Sequence, residues 1–226
     1  MDWLTYSIED FIPYTPEVYL RLLERINDES TPWQLLAFCL PFFLIWLIQK
    51  GRLSAANFVL SLSWLVCAIT YFHTYFKELN WAATYIAGVF IIQAILMNIT
   101  IGLKYRDHFK SANQRVYWLV FYVGTFWPAI SVMLNGHWSQ AEFFALHPDS
   151  TAIVTLGFIL LTRKGWPRLV LLSSPLLWCV VSSQTLSVLN LPQYYLLSMI
   201  LILILLCWVI GFFTRGGNRT SSPDDL

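Results

Sequence analysis

Seven apolar stretches, with basic residues concentrated in every second gap between them, constrain this chain more than any other feature of its sequence. The stretches run roughly Trp33 to Gln49, Leu53 to Phe76, Trp81 to Leu103, Val116 to Leu134, Thr151 to Thr162, Leu169 to Leu189 and Tyr194 to Phe213. Most match the about 20 residues, at about 1.5 Å rise each, that cross a hydrocarbon core of about 30 Å. The fifth is short, and its helix is expected to begin nearer Leu146. Of the 14 Lys and Arg residues, 11 cluster at Lys50 and Arg52, at Lys104, Arg106, Lys110 and Arg115, at Arg163, Lys164 and Arg168, and at Arg215 and Arg219. Only Arg21, Arg25 and Lys77 fall in the alternate gaps. By the positive-inside rule this predicts an all-α integral membrane bundle of seven transmembrane helices, N-terminus outside and C-terminus cytoplasmic.

With 57% hydrophobic and 12% charged residues, the chain has too little polar surface for a soluble globule of its size. The expected organisation is an external amphipathic arm over residues 1–32, a seven-helix domain over 33–214 and a cytoplasmic tail over 215–226. No gap is long enough for a nucleotide-binding domain, and no Walker A loop or dinucleotide glycine fingerprint occurs. Topology and anionic lipid account for the basic residues, so the bilayer is the expected partner and nucleic acid is not. The segment after Met1 is acidic and amphipathic, unlike a cleavable signal peptide. Cys39, Cys67, Cys179 and Cys207 fall in four different stretches and read as small buried apolar residues. The Asn218-Arg219-Thr220 sequon lies on the expected cytoplasmic side and carries no argument.

In the arm, Thr15, Pro16 and Glu17 read as N-cap, first-turn proline and first-turn acid of a helix to about Ile26. Val18, Tyr19, Leu22, Leu23 and Ile26 share one face, and Trp3, Leu4, Ile8, Phe11 and Ile12 supply a second apolar surface beside Glu9 and Asp10. The arm is expected at the outer interface or against the bundle, as an anchor or as a lid over an outward cavity. Trp33, Trp81 and Trp138 mark outer ends of stretches, and Trp46, Trp118 and Trp166 inner ones, as in an aromatic belt. Pro41, Pro128 and Pro175 fall within helices and are expected to kink them.

No Asp, Glu, Lys or Arg falls inside the seven stretches, which weighs against a proton symporter, and no lysine in the last stretch could hold a retinal. Polar groups collect on the outer side instead. His73 lies near the outer end of the second stretch, close to Asn80, while His137, Glu142, His147 and Asp149 occupy the gap between the fourth and fifth. Imidazole and carboxylate together suit a borderline metal, but no HxxxH or HExxH spacing supports one. Asp149 or Ser150 is expected to cap the fifth helix, with Pro148 setting its start. Within the stretches, Gln93 is the best polar candidate because an unpaired amide costs most near mid-helix. The candidate cluster is therefore His73, Asn80, Gln93, Glu142, His147 and Asp149, with no catalytic residue, metal site or cofactor expected.

Several pieces together resemble an uncharacterised family of bacterial inner-membrane proteins of unknown function, sometimes labelled permease. They are Thr5-Tyr6-Ser7 with Asp10-Phe11, Pro16 to Asn27, Phe72-His73, Asn80 to Ala83, Gln93, Gln140-Ala141-Glu142, Pro148 to Ala152, Thr155-Leu156-Gly157 and Pro175 to Cys179. Where the family's loop motif carries a second proline, this chain has Ser150, leaving the start of the fifth helix less rigid. The resemblance implies a bacterial plasma membrane and a single domain, and it transfers no site residue. The first functional reading is a non-catalytic multi-pass membrane protein that binds a partner or supports an assembly. The second is a small-solute or ion permease with an outward polar vestibule, and the third a metal-handling protein or membrane enzyme.

Overall fold

The computed structural model describes residues 11–103, 105, 113–163 and 165–217, which form helices and connecting turns with no strand among them. The surface expected of Trp3, Leu4, Ile8, Glu9 and Asp10, the basic Lys104, Arg106, Lys110, Lys164 and Arg219, and the sequon lie outside the described residues. The helices are α1 (Pro16–Glu29), α2 (Thr31–Gln49), α3 (Leu53–Cys67), α4 (Ala83–Ile99), α5 (Gln114–Thr125), α6 (Trp127–Asn135), α7 (Pro148–Thr162), α8 (Trp166–Val188) and α9 (Gln193–Gly217). Helix α3 runs on through π turns at Ala68–Tyr75 and a 3-10 turn at Phe76–Glu78. With their extensions, α2, α3, α4 and α8 are long and apolar enough to cross a membrane. The α5–α6 pair makes a fifth if the two, bent by 58°, count as one; α7 and Gln193–Trp208 are shorter apolar helices.

The fifth stretch is the centre of the molecule. Every residue of α7 is buried, and it packs against α5, α8 and α3. Its polar side chains, Asp149, Ser150, Thr151, Thr155 and Thr162, all hydrogen-bond within the protein, so the helix can sit inside with no face turned to solvent. Its approach to α5 is a backbone contact: a Cβ on Gly157 would lie 2.6 Å from Phe121 Cβ, and one on Gly124 would lie 2.6 Å from the Val154 nitrogen.

The prolines act in two ways. At Pro128 the chain breaks, and α6 begins with that proline in its first turn. Through Pro41 and Pro175 the helices continue. A helical proline leaves the carbonyl four residues earlier without its donor, and for Pro175 and Pro128 side chains from other helices supply replacements. Gln93 Nε2 on α4 donates to the Leu171 carbonyl at 2.9 Å, four residues before Pro175. Ser150 Oγ on α7 donates to the Gly124 carbonyl at 3.1 Å, four before Pro128. Gln93 is thus an interhelical bridge whose partner was created by a proline on α8.

The arm folds onto the bundle. Thr15 takes the extended N-cap conformation, and Tyr19, Leu22, Leu23, Ile26 and Asn27 are buried, whereas Val18, expected on the same face, is exposed. Asn27 explains the docking: its Nδ2 donates to the carbonyls of Ser139 and Ala141 at 2.7 and 2.8 Å. Gln140 Nε2 adds a bond to Glu24 at 2.8 Å. Cys39 departs from expectation by being exposed on the outer face of α2 beside Leu35, Leu36, Phe42 and Phe43, while the other three cysteines are buried. Arg163, expected as a loop charge, is also buried. Its guanidinium lies 3.8 Å over the Tyr105 ring, and it donates to the Leu103 carbonyl and to Asn57 Oδ1.

Candidate functional site

The segment joining α6 to α7, expected as a loop on the outer side, is buried without exception over residues 140–147. A buried irregular backbone must find partners for its N–H and C=O groups, and side chains provide them. Glu142 N donates to Ser131 Oγ at 3.0 Å, Phe143 N to His147 Nδ1 at 3.0 Å, and Ala145 N to Thr151 Oγ1 at 2.9 Å. Ala145 accepts a φ of +65° in the bend, a conformation that costs about 1 to 2 kcal/mol for a residue with a Cβ. His147, not Asp149 or Ser150, holds the N-cap position of α7, and it makes no side-chain cap. Capping fails because both expected caps are turned into the bundle, Ser150 to α5 and Asp149 to α8.

Asp149 accepts from two α8 side chains, Trp178 Nε1 to Oδ1 at 2.7 Å and Ser182 Oγ to Oδ2 at 2.8 Å. Glu142 Oε2 accepts from Trp127 Nε1 at 3.1 Å, while Oε1 is buried without a partner. Burial first, and the neighbouring Asp149 carboxylate second, push the Glu142 carboxyl well above the usual carboxylate range. His147 Nδ1 accepts a backbone N–H, so Nε2 carries the proton of the neutral ring; that Nε2 is buried and unpartnered. Burial pushes the His147 pKa down to about 3, so the ring is neutral at physiological pH. The segment joining α6 to α7 and the start of α7 therefore enclose two interacting carboxyl groups and a neutral imidazole.

Above them lies a cavity of about 330 Å³. Its walls come from the arm (Phe11, Ile12, Tyr14, Tyr19), from the end of α3 (Tyr71, Phe76), from Asn80 to Ile86, and from α8 between Trp178 and Leu186. Trp178 and Ser182 belong to both features: each lines the cavity and bonds to Asp149. The arm is held over the cavity by Asn80, whose Nδ2 donates to the Phe11 carbonyl at 3.1 Å while Oδ1 accepts from Ala82 N.

The six residues expected to cluster divide into three groups. Glu142, His147 and Asp149 come together, and Asn80 lies on the cavity wall beyond them. Gln93 is elsewhere, committed to Leu171. His73 is on the exposed outer face of the π segment, because Tyr71, Phe72, Tyr75 and Phe76 occupy the inner one. Among the described residues no group of three or more His, Cys, Asp and Glu side chains is placed to hold a metal ion. Trp178, Tyr19 and Tyr71 carried no signal of a site in the sequence, since aromatic residues are common in such helices.

A family of unknown function, DUF6064, matches residues 16–219. The chain belongs to that family. The match takes in α1, with Tyr19 of the cavity wall, as well as the apolar helices. No curated protein and no solved structure matches the chain significantly.

Proposed function

We propose that this protein is a multi-pass protein of the bacterial plasma membrane that binds a small solute in the cavity beneath its N-terminal arm, as a permease of that solute would. The observation that carries the reading is the sharing of Trp178 and Ser182 between the cavity wall and the buried carboxyl group of Asp149. A mostly apolar pocket with a few convergent polar groups is the usual form of a small-molecule site. Buried ionisable groups in a membrane bundle are costly to retain and mark functional positions. This replaces partner binding or assembly as the first reading: exposed apolar rows such as Ile91, Ile92, Ile95 and Ile99 on α4 are what lipid contact requires, and they call for no protein partner.

Seven spans fit the proposal if α5 and α6 form one broken span and α7 and α9 cross within the bundle. The exposed Trp33, Trp81 and Trp138 then lie at the outer interface, and Trp46 and Trp166 at the inner one. With the N-terminus outside, a cysteine replacing exposed His137 reacts with an impermeant thiol reagent in intact cells, and one replacing exposed Ser54 reacts only after lysis. The opposite labelling pattern overturns the orientation.

The binding reading is tested by a thermal-shift screen of neutral, cationic and anionic solutes on the detergent-purified protein, beside Ala82→Trp. Ala82 is on the cavity wall, and an indole there fills the space. At least one solute is expected to stabilise the wild type and not the filled variant, because a ligand that binds only the folded state raises its melting temperature. No stabilisation, or equal stabilisation of both proteins, rejects the pocket and returns the search to protein partners.

A further inference from the structure

We infer that the cavity takes an organic cation with an apolar body, such as a substituted ammonium, and that this cation competes with a proton held by the Glu142–Asp149 pair. The inference deepens the binding reading and rests on it.

The ring content of the walls is the first argument. Tyr14, Tyr19, Tyr71, Phe76, Trp81 and Trp178 all face the cavity, and among the described residues no Lys, Arg or other charged side chain lines it. The rings are interlocked: Tyr14 stacks on Tyr19 at 6.4 Å between centroids and meets Phe76 edge-on at 5.8 Å, and Tyr71 stacks on Phe76 at 5.5 Å. Aromatic faces carry negative potential and attract cations within about 6 Å of the ring centroid, more strongly where water is excluded. Apolar ligands gain from the same walls, so rings alone do not choose between neutral and charged occupants.

The second argument does choose. Behind Trp178 and Ser182 stand two carboxyl groups with no basic partner among the described residues. The titratable groups around Asp149 are Glu142 and His147 from the connecting segment, Tyr19 from α1, Cys67 from α3, Tyr71 from the π turns and Cys179 from α8. None of these is cationic when His147 is neutral, so no described residue compensates a negative charge on the pair. In a low-dielectric setting such a charge favours a cation nearby and repels an anion. Both Asp149 oxygens already accept hydrogen bonds, while Glu142 Oε1 is free to hold a proton. When a cation enters, one proton leaves the pair for solvent; when the cation leaves, the proton returns.

Three probes of similar size separate the outcomes: benzyltrimethylammonium, neutral N,N-dimethylbenzamide and benzenesulfonate, titrated calorimetrically into the full-length protein in detergent. The cation is expected to bind about tenfold or more tightly than the amide near pH 8, and to weaken by about tenfold near pH 5 as the carboxyl pair protonates. Repeating the titration in buffers of different ionisation enthalpy should show proton release with the cation and none with the amide. Asp149→Asn should erase the charge preference. Trp81→Leu, a change at an exposed wall residue, should weaken the cation several-fold and spare the amide. Should Asp149→Asn fail to fold, proton release from the wild type and the Trp81→Leu result still decide. If the amide binds as tightly as the cation, with no proton release, the cation inference fails and the pocket stands. If none of the three binds and the broader solute screen is also silent, the pocket fails with it.

Discussion

Replacing Gly157 with leucine is expected to leave no folded protein. The α5 and α7 backbones meet at this residue, where even a Cβ would lie 2.6 to 2.7 Å from the Phe121 Cβ, Cα and nitrogen. Those atoms belong to the helix itself and cannot swing aside as a flexible side-chain end can. For alanine, the helix propensity gain of about 1 kcal/mol is opposed by an overpacking cost of about 1 to 3 kcal/mol or more. Gly157→Ala should therefore lower the melting temperature, and Gly157→Leu should yield only aggregate in size-exclusion chromatography. Gly124→Ala is expected to behave like Gly157→Ala, because its added Cβ would lie 2.6 Å from the Val154 nitrogen. Gly88 is the control: a Cβ there meets nothing within 4 Å, so Gly88→Ala should be neutral or mildly stabilising. A monodisperse Gly157→Leu protein with an unchanged melting temperature would show that α5 and α7 do not pack in this way.

The second large effect is expected at Asp149. Alanine there leaves the Trp178 indole N–H and the Ser182 hydroxyl without their acceptor. At about 1 to 3 kcal/mol for each unsatisfied buried donor, the loss is roughly 2 to 6 kcal/mol, reduced by release from burying the carboxyl group. Asp149→Asn keeps one acceptor oxygen and should cost less. Comparing thermal midpoints of the two variants in one detergent separates hydrogen bonding from charge. Equal stability of Asp149→Ala and wild type would mean that neither bond contributes to the fold. The contrast with His73 is instructive: both were expected in one polar cluster, yet His73→Ala should be nearly silent because its side chain is exposed.

Periodicity and spacing disclosed much of the local architecture. Thr15-Pro16-Glu17 started α1 where expected, the boundaries at Gln49, Leu53 and Val188 lie within a residue or so of the apolar stretches, and Pro128 marks the sharp bend between α5 and α6. The grouping of Glu142, His147 and Asp149 was also legible, since only six residues lie between the first and the last. Their environment was not. A segment rich in polar groups reads as an exposed loop, and nothing local reveals that Asn27, more than 100 residues earlier, supplies donors for its carbonyls.

What the sequence by itself determined is the all-helical, apolar character of the chain and the places where helices start, stop and bend, because these depend on hydrophobic patterning, prolines and caps within a few residues. Only the tertiary structure decided that the shortest apolar stretch is the central helix, that Gln93 answers the carbonyl freed by Pro175, and that Trp178 and Ser182 join a cavity to a buried carboxyl group. The physical reason is that burial and hydrogen-bond satisfaction are pairwise over long separations: a polar side chain carries the same local signal whether its partner is water or a group on a distant helix.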